Sequence, residues 1–274
     1  MKPPMPYYGG KQRIAADIVA TFPPHDHYVE PFAGGLSVLL AKPPAKHETI
    51  NDLDERLVTF WRVLRDRPDE LITQCTFTPH SRVEQQRAQT PAATADEMEI
   101  ARSVFTELTQ GRAGVRSKTG WRFYVDGRAS GSAMPRYLAG YVRRMPDAAA
   151  RLAEVSLECR DALDVIADYG QAERSLLYVD PPYLGTTRGA LRYRHEMASD
   201  REHETLAEAL ADCSARVVLS GYDSNIYRRL YAGWERVEIA ASTQQANKPG
   251  KNKRTEVLWL NFTDQHLFSE PSDG

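Results

Sequence analysis

The run Ser175-Leu176-Leu177-Tyr178-Val179, closed by Asp180-Pro181-Pro182, constrains this chain more than any other stretch. Five uncharged residues rich in β-formers suit a central parallel strand covered on both faces, because a strand with one wet face would alternate apolar and polar. Two prolines end it, since proline fixes φ and brings no N–H to the ladder. Asp180 is thereby set at the carboxyl edge of an α/β sheet, where open sheets bind ligands.

The strand–helix rhythm recurs on either side of it. Residues 26–40 predict a strand ending at Glu30, a glycine turn, and a helix opening near Leu36. His47 to Asp52 predicts a second strand, followed by an amphipathic helix from Leu53 to Leu71 with Pro68 near its end. Later segments predict strands at Ala153–Leu157, Ala215–Ser220, Trp234–Ala240 and Thr255–Phe262, with helices at Ala162–Tyr169, Glu202–Ala211 and Asn225–Tyr231 between them. The fold class is α/β, with a Rossmann-like doubly wound sheet.

Residues 73–150 break the rhythm and read as an inserted, mostly helical domain, which leaves 1–72 and 151–274 as the sheet domain. Helical patterns cover Arg82 to Gln89 and Asp96 to Leu108, and Gly120 to Arg128 reads as a strand closing in an Asp-Gly turn, the pattern of a hairpin. Net charge is only −2, but from Arg102 to Arg144 nine Lys or Arg stand against Glu107 and Asp126. That window carries +7, interleaved with Trp121, Phe123, Tyr124, Tyr137 and Tyr141, as a surface that tracks phosphates would be.

No apolar run approaches the roughly 18 residues of a spanning helix, and no secretory leader is visible, so no membrane association and a cytoplasmic location are expected. Cys75, Cys159 and Cys213 are odd in number and never form CxxC, so neither a disulfide framework nor a zinc site is indicated.

Two motifs carry chemistry. At Phe32-Ala33-Gly34-Gly35, glycines after a strand let backbone approach a ligand, yet neither GxGxxG nor GxxxxGK[ST] is present. Asp52, at the end of the next strand, can accept from two ribose hydroxyls, so a nucleoside without a pyrophosphate fits best. Asp180-Pro181-Pro182-Tyr183 then offers a carboxylate, fixed carbonyls and an aromatic ring. A carboxylate plus the Pro181 carbonyl can take both hydrogens of an exocyclic amine and aim its lone pair at an electrophile, with Tyr183 stacked on the base. An amine inside a duplex is out of reach, so the base has to be flipped.

Together these motifs give the chain a resemblance to the Dam-like, D12 class DNA adenine-N6 methyltransferases, over most of residues 1–70 and 150–262. Tyr7-Tyr8-Gly9-Gly10-Lys11 resembles the family's N-terminal cofactor motif, Glu30 to Val38 its [DE]PFxGxGSV loop, Asn51-Asp52 its ribose acid, and Asp180 to Tyr183 its catalytic tetrapeptide. The chain departs from that pattern at Leu36, often Gly, and at Ala162, where Phe is expected.

The resemblance implies S-adenosyl-L-methionine as co-substrate, with no metal. Tyr7, Lys11, Phe32, Gly34, Asp52, Asp161 and Asp180 would line its site, with Lys11 near the methionine carboxylate and Asp161 near the adenine. Residues 73–150 become a target-recognition domain contacting double-stranded DNA through Arg116, Lys118, Arg122 and Arg128. The loops holding Arg188, Arg192 and Arg194, and Lys248 to Arg254, are further candidates for phosphates. A monomer in solution and a cognate restriction enzyme complete the expectations.

Three rivals frame them: an N4-cytosine methyltransferase with the same amine chemistry, a release-factor glutamine methyltransferase, whose tetrapeptide begins with Asn, and a silent DNA-binding module. The cytosine-C5 route needs a nucleophilic cysteine after proline, and none of the three is so placed.

Overall fold

The computed structural model describes residues 1–116, 119–124, 133–183, 197, 199–240 and 255–263. Its centre is a seven-stranded sheet of β1 (His27–Glu30), β2 (His47–Asn51), β3 (Ser156–Glu158), β4 (Ser175–Val179), β5 (Arg216–Gly221), β6 (Glu235–Ala240) and β7 (Thr255–Leu260). The strand order is β3-β2-β1-β4-β5-β7-β6. The first five strands in that order run parallel, and β7 enters antiparallel between β5 and β6. This is the doubly wound sheet that the sequence predicts.

Every residue of β4 is buried, and its side chains alternate between two cores. Leu176 and Tyr178 join Tyr28, Val218 and Leu258 on one face, whereas Leu177 and Val179 join Val29, Val217 and Trp259 on the other. The second face is covered by α8 (Ala162–Tyr169), α9 (Asp200–Ala211) and α10 (Asn225–Leu230). Both faces being dry is why β4 needs an unbroken apolar run, each buried Leu or Val contributing about 1.5–3 kcal/mol.

The first face is covered by α1 (Ala15–Val19) and α2 (Glu55–Asp66), and by part of the 73–150 segment. That segment carries the end of α3 (Pro68–Phe77), then α4 (Arg82–Gln89), α5 (Glu97–Gln110), α6 (Met134–Val142) and the start of α7 (Met145–Leu152). Val104, Phe105 and Leu108 of α5, with Met145 and Leu152 of α7, lie in the same apolar cluster as Leu57, Phe60 and Leu64 of α2. The inserted segment therefore shares the core of the sheet domain.

Two expectations need correction. The helix from Leu53 to Leu71 is two helices, because Arg67 leaves helical geometry (φ −137°, ψ 53°) and Pro68 starts α3 at its first position, where a missing N–H costs nothing. No helix opens at Leu36, which sits at φ 54°. Beyond it the Leu39 N–H donates 2.8 Å to the Glu30 carboxyl and not to a helical carbonyl, so residues 36–41 form turns. The Asp-Gly turn of the expected hairpin falls outside the described residues, and the antiparallel bridge that is present, between Gly111 and Trp121, closes the loop before it. Among the described residues no helix is long and apolar enough to cross a membrane.

Candidate active site

The order of the strands reverses between the parallel neighbours β1 and β4: β1 leads away to β2 on one side, and β4 leads to β5 on the other. Their carboxyl-end loops diverge and leave a crevice there. A cavity of about 410 Å³ fills it, lined by Tyr7, Phe32, Gly34, Asp52, Asp161 and Asp180 among others. All the residues assigned to the cofactor by sequence thus meet around one space, Lys11 included.

The glycine turn is fixed from two sides. Gly34 adopts φ +49°, and a Cβ there would come within 2.8 Å of the Tyr7 ring; at Gly35 it would meet Tyr7 Cβ at 2.6 Å. Only glycine allows that ring to lie on the turn. From below, the Gly34 N–H donates to Asp52 (2.9 Å), and the Trp61 indole N–H donates to the Gly34 carbonyl (3.1 Å). The second Asp52 oxygen takes the Asp54 N–H at 2.9 Å. Burial raises the Asp52 pKa, and these two backbone donors oppose the rise.

Asn51 and Glu30 belong to the quoted motifs, but the motifs do not carry the bonds by which they hold the loops of the site. Buried Asn51 donates to the carbonyls of Pro31 (2.9 Å) and Arg160 (3.0 Å) and accepts the Arg160 N–H (2.9 Å). It ties the loop after β1 to the loop that carries Asp161, which itself caps α8 through the Leu163 N–H at 2.8 Å. Glu30 accepts from the Tyr28 hydroxyl at 2.5 Å and from the Leu39 N–H. Burial pushes its pKa up to about 8 against those two bonds, so it is mostly protonated at neutral pH.

At the end of β4, Asp180 meets Lys11. The Lys11 ammonium lies 2.7 Å from both carboxylate oxygens and donates to the Gly9 carbonyl at 3.1 Å. Where the sequence points Lys11 at a cofactor carboxylate, the structure engages it with Asp180. Burial raises the Asp180 pKa, Lys11 opposes that, and the carboxylate of Glu256 adds to it.

Tyr183 also departs from the simple picture of a ring awaiting a base. It is buried, its ring centroid 4.5 Å from that of Tyr222 and 4.8 Å from the Lys11 ammonium. Pro181 is buried beside it, and Pro182 lines the cavity. A second cavity of about 400 Å³ opens on the other side of Lys11, lined by Tyr141, Tyr183, Tyr222 and Glu256. Lys11, Tyr7 and the two glycine motifs border both spaces.

The basic residues behave differently. Arg116 is turned inward, its side chain 2% exposed, 3.2 Å from Asp54 and 3.7 Å from Glu107. A guanidinium in that position is not on the surface that reading a base edge requires. Arg122 is half-buried, bonded to the hydroxyls of Tyr137 (2.6 Å) and Tyr124 (2.9 Å). Beside it Trp121 stacks between His80 (4.4 Å) and Phe123 (5.3 Å), with Arg82 over both indole and phenyl. Lys118, Arg128, Arg188, Arg192, Arg194 and the stretch from Lys248 to Arg254 fall outside the described residues.

The crevice at the switch point is of a size for a nucleoside and is bordered by acids that can accept hydrogen bonds. The chain matches the model of the D12 class N6 adenine-specific DNA methyltransferases over residues 7–95 and 141–245, and belongs to that family. It is an adenine-specific DNA methyltransferase. Similar proteins include the Type II methyltransferase M1.LlaDCHI of Lactococcus lactis subsp. cremoris, 22% identical with 96% of each chain covered. The Type II methyltransferase M.MjaIII of Methanocaldococcus jannaschii is 25% identical, with 96% of this chain and 99% of that one covered. A solved rRNA methyltransferase of Streptomyces viridochromogenes, aviRa, is a distant likeness at 13% identity and TM-score 0.37, covering 95% of this chain and 88% of that one.

Proposed function

We propose that this enzyme moves a methyl group from S-adenosyl-L-methionine to N6 of an adenine flipped out of duplex DNA. The observation that carries the reading is the place of Asp180, part-buried at the end of β4 on the first cavity, while Tyr183 three residues on faces the second. The first cavity fits the cofactor. Its volume lies within the roughly 300–1,000 Å³ of small-ligand sites, the glycine turn and the Tyr7 ring packed on it line it, and Asp52 and Asp161 present acceptors to it. Bound there, S-adenosyl-L-methionine supplies an electrophilic methyl group on a sulfonium.

The chain's own residues then act by position and field. Asp180 and the Pro181 carbonyl accept the two N6 hydrogens, which takes the nitrogen lone pair out of ring conjugation and aims it at the first cavity. Tyr7 and the glycine turn hold the donor side, and the Lys11 ammonium opposes the rise that desolvation brings to the Asp180 pKa. Transfer would form the N6–C bond as the S–C bond breaks, leaving the co-substrate as a neutral thioether, and the proton that N6 loses would pass to water.

Residues 73–150 form the target-recognition part, with Arg122 as its candidate contact among the described cations. The relatives' Type II designation supports a restriction–modification role with a cognate endonuclease. We read the enzyme as a cytoplasmic monomer that engages DNA without a metal.

Tritium transfer from labelled cofactor to unmethylated duplex DNA tests the core of this. Asp180→Ala should slow it by about 10²–10³-fold or more, with cofactor affinity by calorimetry largely kept. Transfer at near wild-type rate by that variant would remove Asp180 from the chemistry. A wild-type chain that binds DNA but no S-adenosyl-L-methionine would make it a silent binding module.

A further inference from the structure

Tyr183 has one phenolic hydrogen and two carboxylates within reach of it. Asp180 Oδ1 lies 3.0 Å from the hydroxyl, and Glu256 Oε1 lies closer still. The same Glu256 oxygen accepts the Ser220 hydroxyl at 2.7 Å, and Ser220 Oγ sits 3.3 Å from the Tyr183 hydroxyl. Glu256 is 6% exposed and is the one acid in the otherwise uncharged strand β7. It lines the second cavity beside Lys11, whose ammonium is 3.8 Å away. Burying a carboxylate in a strand is costly unless it is paired, so a purely structural position would favour an apolar residue there.

We propose that Glu256 is a positioning residue that captures the Tyr183 hydroxyl hydrogen and so reserves Asp180 as an acceptor for the substrate amine. The proposal rests on the amine-directed methyl transfer argued above. A phenol that donated to Asp180 Oδ1 would compete with the incoming N–H for the same oxygen and would draw charge from the carboxylate that must polarise the amine. Glu256 prevents this by being the nearer acceptor, held in place by Ser220. Lys11 already engages both Asp180 oxygens, and a second permanent donor on Oδ1 would leave little accepting power for substrate. Ser220 and Glu256 lie on the neighbouring strands β5 and β7, so the device is built into the sheet and not into a loop.

Glu256→Gln keeps the shape and removes the charge, which returns the phenolic hydrogen to Asp180. kcat should fall about tenfold or more, with the affinity for S-adenosyl-L-methionine unchanged. Tyr183→Phe deletes the competing hydrogen and keeps the ring, and whatever it costs by itself, adding Glu256→Gln to it should cost no more than about threefold further. Equal losses from Glu256→Gln in both backgrounds would overturn the proposal. A readout independent of turnover is the Tyr183 resonance of ¹³Cζ-tyrosine-labelled protein, assigned by its disappearance in Tyr183→Phe. It should move further in Glu256→Gln than in Asp180→Asn, and the reverse order would assign the hydrogen to Asp180. Loss of wild-type methyl transfer would count against the functional reading alone, because the resonance order decides on Glu256 without it.

Discussion

The sheet edge and the helical layer on its first face both hold charged groups out of water, and they do so to different ends. At the edge, Lys11 faces Asp180 and Glu256, two acids against one cation, and the groups border cavities. In the layer, Arg116 faces Asp54 and Glu107, and Arg102 faces Glu84 and Glu99. Those acids are spread over α2, α4 and α5 and their caps, and three of the four lie outside the window from 102 to 144. A local sum of +7 therefore overstates the positive charge this surface can offer. Charge counted along the chain becomes field at the surface only after pairing in space.

The largest test of that contrast is Arg116→Ala. Breaking a buried ion pair by removing one partner costs about 3–5 kcal/mol, and the lower end is expected because Glu107 keeps Arg56 at 3.5 Å. That amounts to a fall in Tm of roughly 6–12 °C. A variant with wild-type Tm and altered target preference would make Arg116 a DNA-reading residue and dissolve the contrast.

Next in size is Gly34→Ala at the edge. A left-handed φ and a 2.8 Å approach to Tyr7 together cost about 1–3 kcal/mol, and the displaced Tyr7 ring should weaken cofactor binding by calorimetry more than it lowers Tm. If affinity is kept while Tm falls, the turn is scaffold only.

How much of this was legible in the sequence follows the same division. Strand β4, the glycine turn, Asp52 and the tetrapeptide are local patterns whose chemistry depends on neighbours a few residues away; the turn, Asp52, Asp180 and Pro182 meet at one cavity, and Tyr183 lines the other. The helix at Leu36 was misread because its ladder is interrupted by the Glu30 carboxyl, a contact that periodicity does not carry. Glu256 acts across strands over 73 residues of chain, and its only local sign is an acid in a buried strand; Asn51 stands in a motif, but its bond to Arg160, 109 residues on, is not legible there. The shared core of α2, α5 and α7 was hidden for the same reason: a break in strand–helix rhythm marks an insertion, but not where its apolar face packs.

Glu30 tests the edge by pH. Its folded pKa of about 8 stands above the ordinary 4.5, so the stability it contributes is complete below about 4.5 and is lost as pH rises through about 8. Glu30→Gln mimics the protonated form. Between pH 6 and pH 9 the variant's Tm should fall less than the wild type's, and parallel curves would mean that Glu30 is already ionised in the fold.

The smallest effect is the one that decides what the layer does. Arg122 differs from Arg102 and Arg116 in being held by tyrosine hydroxyls, which fix its guanidinium without cancelling its charge. Such a cation can serve a phosphate or a guanine edge, and salt dependence separates the two. If it contacts a phosphate, Arg122→Ala should weaken binding evenly across DNA sequences and make the slope of log K against log salt shallower by about one. If it reads a base, discrimination at one position of the target should relax by about 1–3 kcal/mol. Fluorescence anisotropy over a salt series on matched and mismatched duplexes measures both. A variant that changes neither would leave Arg122, like Arg116, a part of the packing, and the layer's contact with DNA would have to come from cations beyond it.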